Sequence, residues 1–209
     1  MDPACRRTSN LGTLLITSVL ACCTPGLASM VGNASYSADQ VLLEPDSPFV
    51  AIHAAGGSTH EVRSYFLRGD GQVTILSTSN ASSSPELVYT EQVSAEDVDA
   101  AVRAIFSGAL YEFDLNRVKA KHLTEPHPGP SIEDAGSLRV EIHLPLFPGS
   151  NPSGADELTH VFGVNVSDMA EGHFPSIREY AALRQIFGIL RQAERRARSA
   201  WGRPEKDAL

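Results

Sequence analysis

Glu61–Thr78 reads EVRSYFLRGDGQVTILST. Two runs rich in β-branched and aromatic residues flank Gly69-Asp70-Gly71, and Asp-Gly suits a tight turn with positive φ, so the stretch predicts an antiparallel hairpin. A hairpin fixes two strands as sequence neighbours, which favours an antiparallel sheet over a wound parallel one. Upstream, FVAIHA (Phe49–Ala54), which runs out at Gly56 and Gly57, predicts a first strand. Downstream, ELVYTEQ (Glu86–Gln92) predicts another.

A helix follows. Ser94 with Asp97 three residues on resembles a capping box, Val93 and Val98 suit the hydrophobic staple, and Val98, Ala101, Val102, Ile105 and Ala109 form an apolar stripe. Gly108 marks its end. LYEFDL (Leu110–Leu115) is expected to pack or pair, and a Pro-containing loop to run from Lys119 to Gly136. Leu138, Val140, Ile142 and Leu144 alternate with Arg139, Glu141 and His143, which predicts a strand with one wet face. After a Pro- and Gly-rich loop comes ELTHVFGVNV (Glu157–Val166), then a helix capped by Ser176 and Glu179, burying Tyr180, Leu183, Ile186, Phe187, Leu190 and Ala193. The expected fold is α+β, a largely antiparallel sheet with two helices packed on one face.

This order, with the Gly pair near the first strand and FDL after the helix, is similar to that of small exported bacterial α+β domains of the emfourin type, inhibitors of thermolysin-type proteases. The resemblance spans roughly Phe49 to Arg198 and departs at the long insertions around Pro126 and Pro148. It implies protease inhibition, without a matched motif to place an inhibitory residue.

The opening of the chain carries an export pattern. Arg6 and Arg7 precede an apolar run from Leu11 to Ala21, and Thr24, Pro25 and Gly26 follow it. A membrane-spanning helix needs roughly 20 consecutive apolar residues, and this run is about half that. Val19, Leu20, Ala21 and Cys22 resemble the lipobox of bacterial lipoproteins, which implies Cys22 as the lipid-attachment residue; Leu20 stands where that family usually has a smaller residue. Gly26, Leu27 and Ala28 instead suit ordinary cleavage before Ser29, and a buried hydrophobic N-terminus is the third reading. All three cysteines, Cys5, Cys22 and Cys23, precede Ser29, so the body has no disulfide, thiol nucleophile or cysteine metal site. The expected organisation is a signal peptide over 1–21 (1–28 under simple secretion), a flexible tether over 22–48, an α+β domain over 49–199 and a tail over 200–209. A tether of about 25 residues spans about 25–30 Å.

The full chain carries a net charge of −8. Arg178, Arg184, Arg191, Arg195, Arg196 and Arg198 cluster near the C-terminus, leaving the preceding body strongly acidic, which argues against nucleic acid as a partner. Those arginines read as a solvated helix face that complements the helix dipole, with anionic lipid as the rival partner.

Candidate chemistry is sparse. His60 and Glu61 begin an H-E-x-x-H-like string, but Ser64 stands where a zincin needs its second histidine. Arg68-Gly69-Asp70 spells an adhesion tripeptide inside an ordinary hairpin turn. His122, Glu125, His127 and Asp134 are metal-ligand types in one loop with nothing to fix them, so no metal is assigned. His143 is expected on the polar side of its strand near Arg139 and Glu141, whereas His160 shares parity with Leu158 and Phe162. Asn33, Asn80 and Asn165 begin N-x-Ser sequons, relevant only in a eukaryotic host. No nucleophile elbow, P-loop or dinucleotide fingerprint occurs, so no cofactor is expected. The reading that results is an exported, envelope-tethered, non-catalytic domain that binds a protein or other extracytoplasmic ligand. Its rival is a hydrolase using histidine and carboxylate, for which two or more of His53, His143, His160 and His173 beside an acid in a pocket would speak.

Overall fold

The computed structural model describes residues 36–56, 61–79, 84–124, 136–150, 154, 156–169 and 174–201. The predicted hairpin forms: β2 (Glu61–Arg68) and β3 (Gln72–Ser79) pair antiparallel, with Tyr65 opposite Ile75 and Leu67 opposite Val73. Gly71 takes φ +87°, the conformation for which the Asp-Gly turn selects, and the Asp70 carboxylate accepts from the Gln72 N–H at 2.8 Å. β1 (Pro48–Ala55), β4 (Glu86–Gln92), β5 (Ser137–Pro145) and β6 (Glu157–Asn165) complete one six-stranded sheet in the order β4-β3-β2-β1-β5-β6. Every pairing is antiparallel.

Alternation along these strands gives the sheet one apolar face, and Ile52, Tyr65, Leu67, Val73, Ile75, Val140, Ile142 and Val164 meet the helices there. α1 (Ala95–Ser107) starts at the expected capping box: the Ser94 hydroxyl accepts from Asp97 N–H at 3.1 Å, and the Asp97 carboxylate accepts from Ser94 N–H at 3.3 Å. It buries Val98, Ala101, Val102, Ala104 and Ile105. α3 (Arg178–Trp201) buries Tyr180, Leu183, Ile186, Leu190 and Ala193 of the predicted stripe, leaves Phe187 half-buried at its edge, and runs past Ser199 into the expected tail. None of the helices among the described residues is long and apolar enough to cross a membrane.

Three local expectations are corrected. Lys119–His122 is not the start of a loop but the end of a short third helix, α2 (Leu115–His122), whose N-cap Asp114 accepts from Asn116 N–H at 2.8 Å. α3 starts at Arg178, so Ile177 and not Ser176 stands at its cap position, and Glu179 in the first turn does more than cap: both its oxygens accept from Lys121 Nζ at 2.9 Å, which clasps α2 to α3. Residues 36–47, expected within the tether, lie on the domain. Val41 bridges Leu146, the Leu42 N–H donates to Pro145 O at 2.9 Å, and the Phe147 N–H donates to Gln40 O at 2.8 Å. Val41 and Leu43 pack against the core, so this short apolar step suffices to hold the segment once the end of β5 supplies backbone partners. The folded unit thus begins before Phe49. The rest of the expected tether, residues 22–35, lies outside the described residues.

Candidate functional site

With the helices on one side, the opposite face of the sheet is left bare among the described residues. The ladder registers place Thr90, Thr74, Phe66, Ala51, Glu141 and Val161 in one row across all six strands. The next row holds Leu76, Ser64, His53, Arg139 and Gly163. Period-2 alternation sends these side chains away from the core, because their strand neighbours are the buried Ile52, Tyr65 and Val140.

At the centre of this face polar groups converge. His53 Nδ1 lies 2.8 Å from Ser64 Oγ, and His53 Nε2 lies 3.5 Å from Glu141 Oε1. Arg139 Nη2 forms an ion pair with the same carboxylate oxygen at 2.9 Å, while His143 Nε2 stands 4.0 Å from Oε2. The His53 ring also meets the edge of Phe66, centroid to centroid 5.7 Å. The structure therefore brings His53 and His143, two of the four histidines at issue, to one acid.

A serine hydrogen-bonded to a histidine that faces a carboxylate supplies the parts of a nucleophile-activating triad, so the hydrolytic reading requires a geometric test. Acyl transfer also requires donors aimed at a developing oxyanion, and an accessible nucleophile. Ser64 sits in mid-β2, flanked by β1 and β3, so the backbone N–H groups around it serve interstrand ladders. It is only 8% exposed. The arrangement orients His53 and holds Glu141 in place; it does not assemble an oxyanion site.

The remaining candidates fall elsewhere. His160 lies on the helix side, with Nε2 2.8 Å from Phe113 O, and ties β6 to the segment before α2. His122 stacks on Phe174 with ring centroids 3.9 Å apart. Glu61, in a strand and not a helix, accepts from Ser77 Oγ at 2.7 Å and Arg63 Nε at 2.9 Å; first the serine and then the arginine hold its carboxyl below the ordinary range. The Arg68-Gly69-Asp70 turn is pinned by residue 45, whose carbonyl accepts from Asp70 N–H at 3.4 Å. Asn165 is an exposed residue at the end of β6. Among the described residues no three His, Cys, Asp or Glu side chains are placed to hold a metal ion. Cys22, His60, Glu125, His127, Asp134, His173, Asn33 and Asn80 lie outside the described residues.

Ser64 and Glu194 escaped the sequence reading. Ser64 was visible only as a missing ligand, and His53, a named candidate, has cross-sheet neighbours that depend on register. Glu194, buried under the C-terminal arginines, carries a signal that is legible in retrospect: four residues beyond Leu190, it falls on the apolar stripe of α3, where a carboxylate requires partners. No protein-family model matches the chain, and no curated protein matches it.

Proposed function

We propose that the protein is an exported, lipid-anchored domain of the bacterial cell envelope that binds another protein through the bare face of its sheet and performs no catalysis of its own. Export and anchoring rest on Arg6 and Arg7, the apolar run to Ala21 and the lipobox-like Val19–Cys22. Acylation of Cys22 with two or more chains would hold the protein stably on a bilayer, since each buried CH₂ contributes about 0.8 kcal/mol.

The observation that carries the binding role is the make-up of the bare face, where apolar and aromatic side chains stand among hydrogen-bonding ones and the Glu141 carboxylate is already paired by Arg139. Aromatic and apolar groups among hydrogen-bonding ones are characteristic of protein interfaces. Phe66 and the 47% exposed Val161 supply apolar area, while Thr74, Thr90 and the histidines supply hydrogen bonds. The resemblance to emfourin-type domains makes a thermolysin-type protease the first partner to try.

The experiment is affinity capture from the envelope fraction, with the full-length protein and its Val161→Arg and Thr74→Arg variants as bait. A partner retained by the parent and by Arg195→Glu, on the outer side of α3, but lost from both face variants supports the reading. A partner retained equally by all four contradicts it.

A further inference from the structure

A second site, on the helix side of the sheet, is built around Glu194. This residue of α3 is 2% exposed, yet its carboxylate is ringed by donors. Tyr65 Oη donates to Oε2 at 2.9 Å, Arg198 Nη2 to Oε1 at 2.5 Å, and Arg63 Nη1 also to Oε1. Arg191 Nη1 lies 3.2 Å from Oε2 and donates to the Tyr65 oxygen at 3.2 Å. The guanidinium of Arg63 is shared with Glu61, to which its Nε donates at 2.9 Å. Beside this knot opens a cavity of about 340 Å³, walled by Arg63, Arg191, Arg198 and Tyr65, by Ala54 and Gly56, and by Glu61, whose carboxylate is already held by Ser77 and Arg63.

The charges do not balance. Arg63, Arg191 and Arg198 bring three positive charges and Glu61 and Glu194 two negative ones, an excess of one cation in a chain whose net charge is −8. Arg63 is satisfied by two carboxylates, so the excess resides on Arg191 and Arg198. These two stand seven residues apart on one side of α3, each tethered to Glu194 by one Nη atom, with the rest of each planar fork left to donate. A buried anion that fixes two guanidinium groups before any ligand arrives lowers the ordering cost of binding. An ordinary solvated arginine face lacks both that anchor and a cavity.

We propose that this cavity is a binding site for a small molecule bearing a single carboxylate. The carboxylate takes bidentate hydrogen bonds from Arg191 and Arg198, matching the single excess charge, and the body of the ligand lies against Ala54 and Gly56. The site is independent of the bare face, from which the sheet separates it.

The test is a titration of the full chain with sodium benzoate, followed by NMR of the arginine Nε–Hε groups. Phenyl phosphate serves as the tetrahedral, more highly charged comparison and chloride as the ionic-strength control. Benzoate is expected to shift the Arg191 and Arg198 signals saturably, and Arg191→Gln or Arg198→Gln to weaken binding about tenfold, the equivalent of one charge-assisted hydrogen bond. Both arginines are about half exposed, at 50% and 48%, so neither replacement opens the core. Arg191→Lys keeps the charge without the fork and is expected to bind between the two, while Arg103→Gln on α1 is expected to bind as the parent does. Shifts that never saturate, that chloride reproduces, or that survive both Gln variants overturn the site. Tighter binding of phenyl phosphate overturns the carboxylate assignment.

Discussion

His53 and Ser64 face each other across the β1–β2 ladder, with Nδ1 of the one 2.8 Å from Oγ of the other. The contact is the nearest thing to catalytic geometry among the described residues, and the account assigns it to orienting the histidine on the bare face. Ser64→Ala is therefore expected to cost about 1 kcal/mol, the net worth of a hydrogen bond, and to leave hydrolysis of a chromogenic ester at the same background rate. A rate that falls with the serine would return the protein to the hydrolases.

The capped start of α1 and its buried stripe contribute unequally. Ser94→Ala is expected to cost about 1 kcal/mol through the lost cap. Ile105, fully buried, is expected to cost about 2–5 kcal/mol as alanine because a cavity is left between helix and sheet. Urea denaturation of the two variants should show midpoints clearly apart.

Gly108 sets how closely α1 and α3 approach. A Cβ built there would stand 2.4 Å from the Cβ of Ala182 on α3. Gly108→Ala is expected to cost about 1–3 kcal/mol as the helices are forced apart, despite alanine's better helix propensity. A Gly108→Ala, Ala182→Gly double variant should recover part of the loss in thermal denaturation.

The clasp between α2 and α3 carries a pH signature. Burial works to raise the Glu179 carboxyl, but the hydrogen bonds from Lys121 and from its own backbone N–H, backed by the charges of Lys121 and Arg178, together outweigh it and hold the group below its ordinary value of 4.5. A depressed folded value means that the stabilisation is fully present above pH 4.5 and is lost as pH falls through the folded value. Lys121→Met should then be less stable than the parent at neutral pH, with the gap narrowing in acid. Denaturation midpoints measured across that range check it.

What the sequence revealed follows its periodicity. The hairpin at Asp70-Gly71, the alternation from Leu138 to Leu144 and the stripe of α3 each rest on local spacing, and each element forms where spacing puts it. Parity alone also set His143 beside Glu141 and His160 among the apolar residues of β6. The segment from 36 to 47 was illegible because its partners lie far along the chain: Val41 bridges Leu146, while Leu43 and Pro45 meet Gly69 and Asp70 at the β2–β3 turn. α2 was missed because it has one buried residue, Val118, and so no stripe to read. His53 joins Glu141 only through the register of β1 against β5, which pairs Ala51 with Glu141, and no local pattern encodes that register.

The central claim, that the bare face holds a protein partner, is tested most directly by site-specific photo-crosslinking in the intact envelope. A photoreactive residue in place of Val161 is set against one in place of Arg195 on the outer side of α3. The account predicts a discrete adduct of reproducible mass from position 161, absent from position 195 and abolished when Thr74→Arg is combined with the probe. No adduct at 161, or the same adduct from both positions, would contradict it.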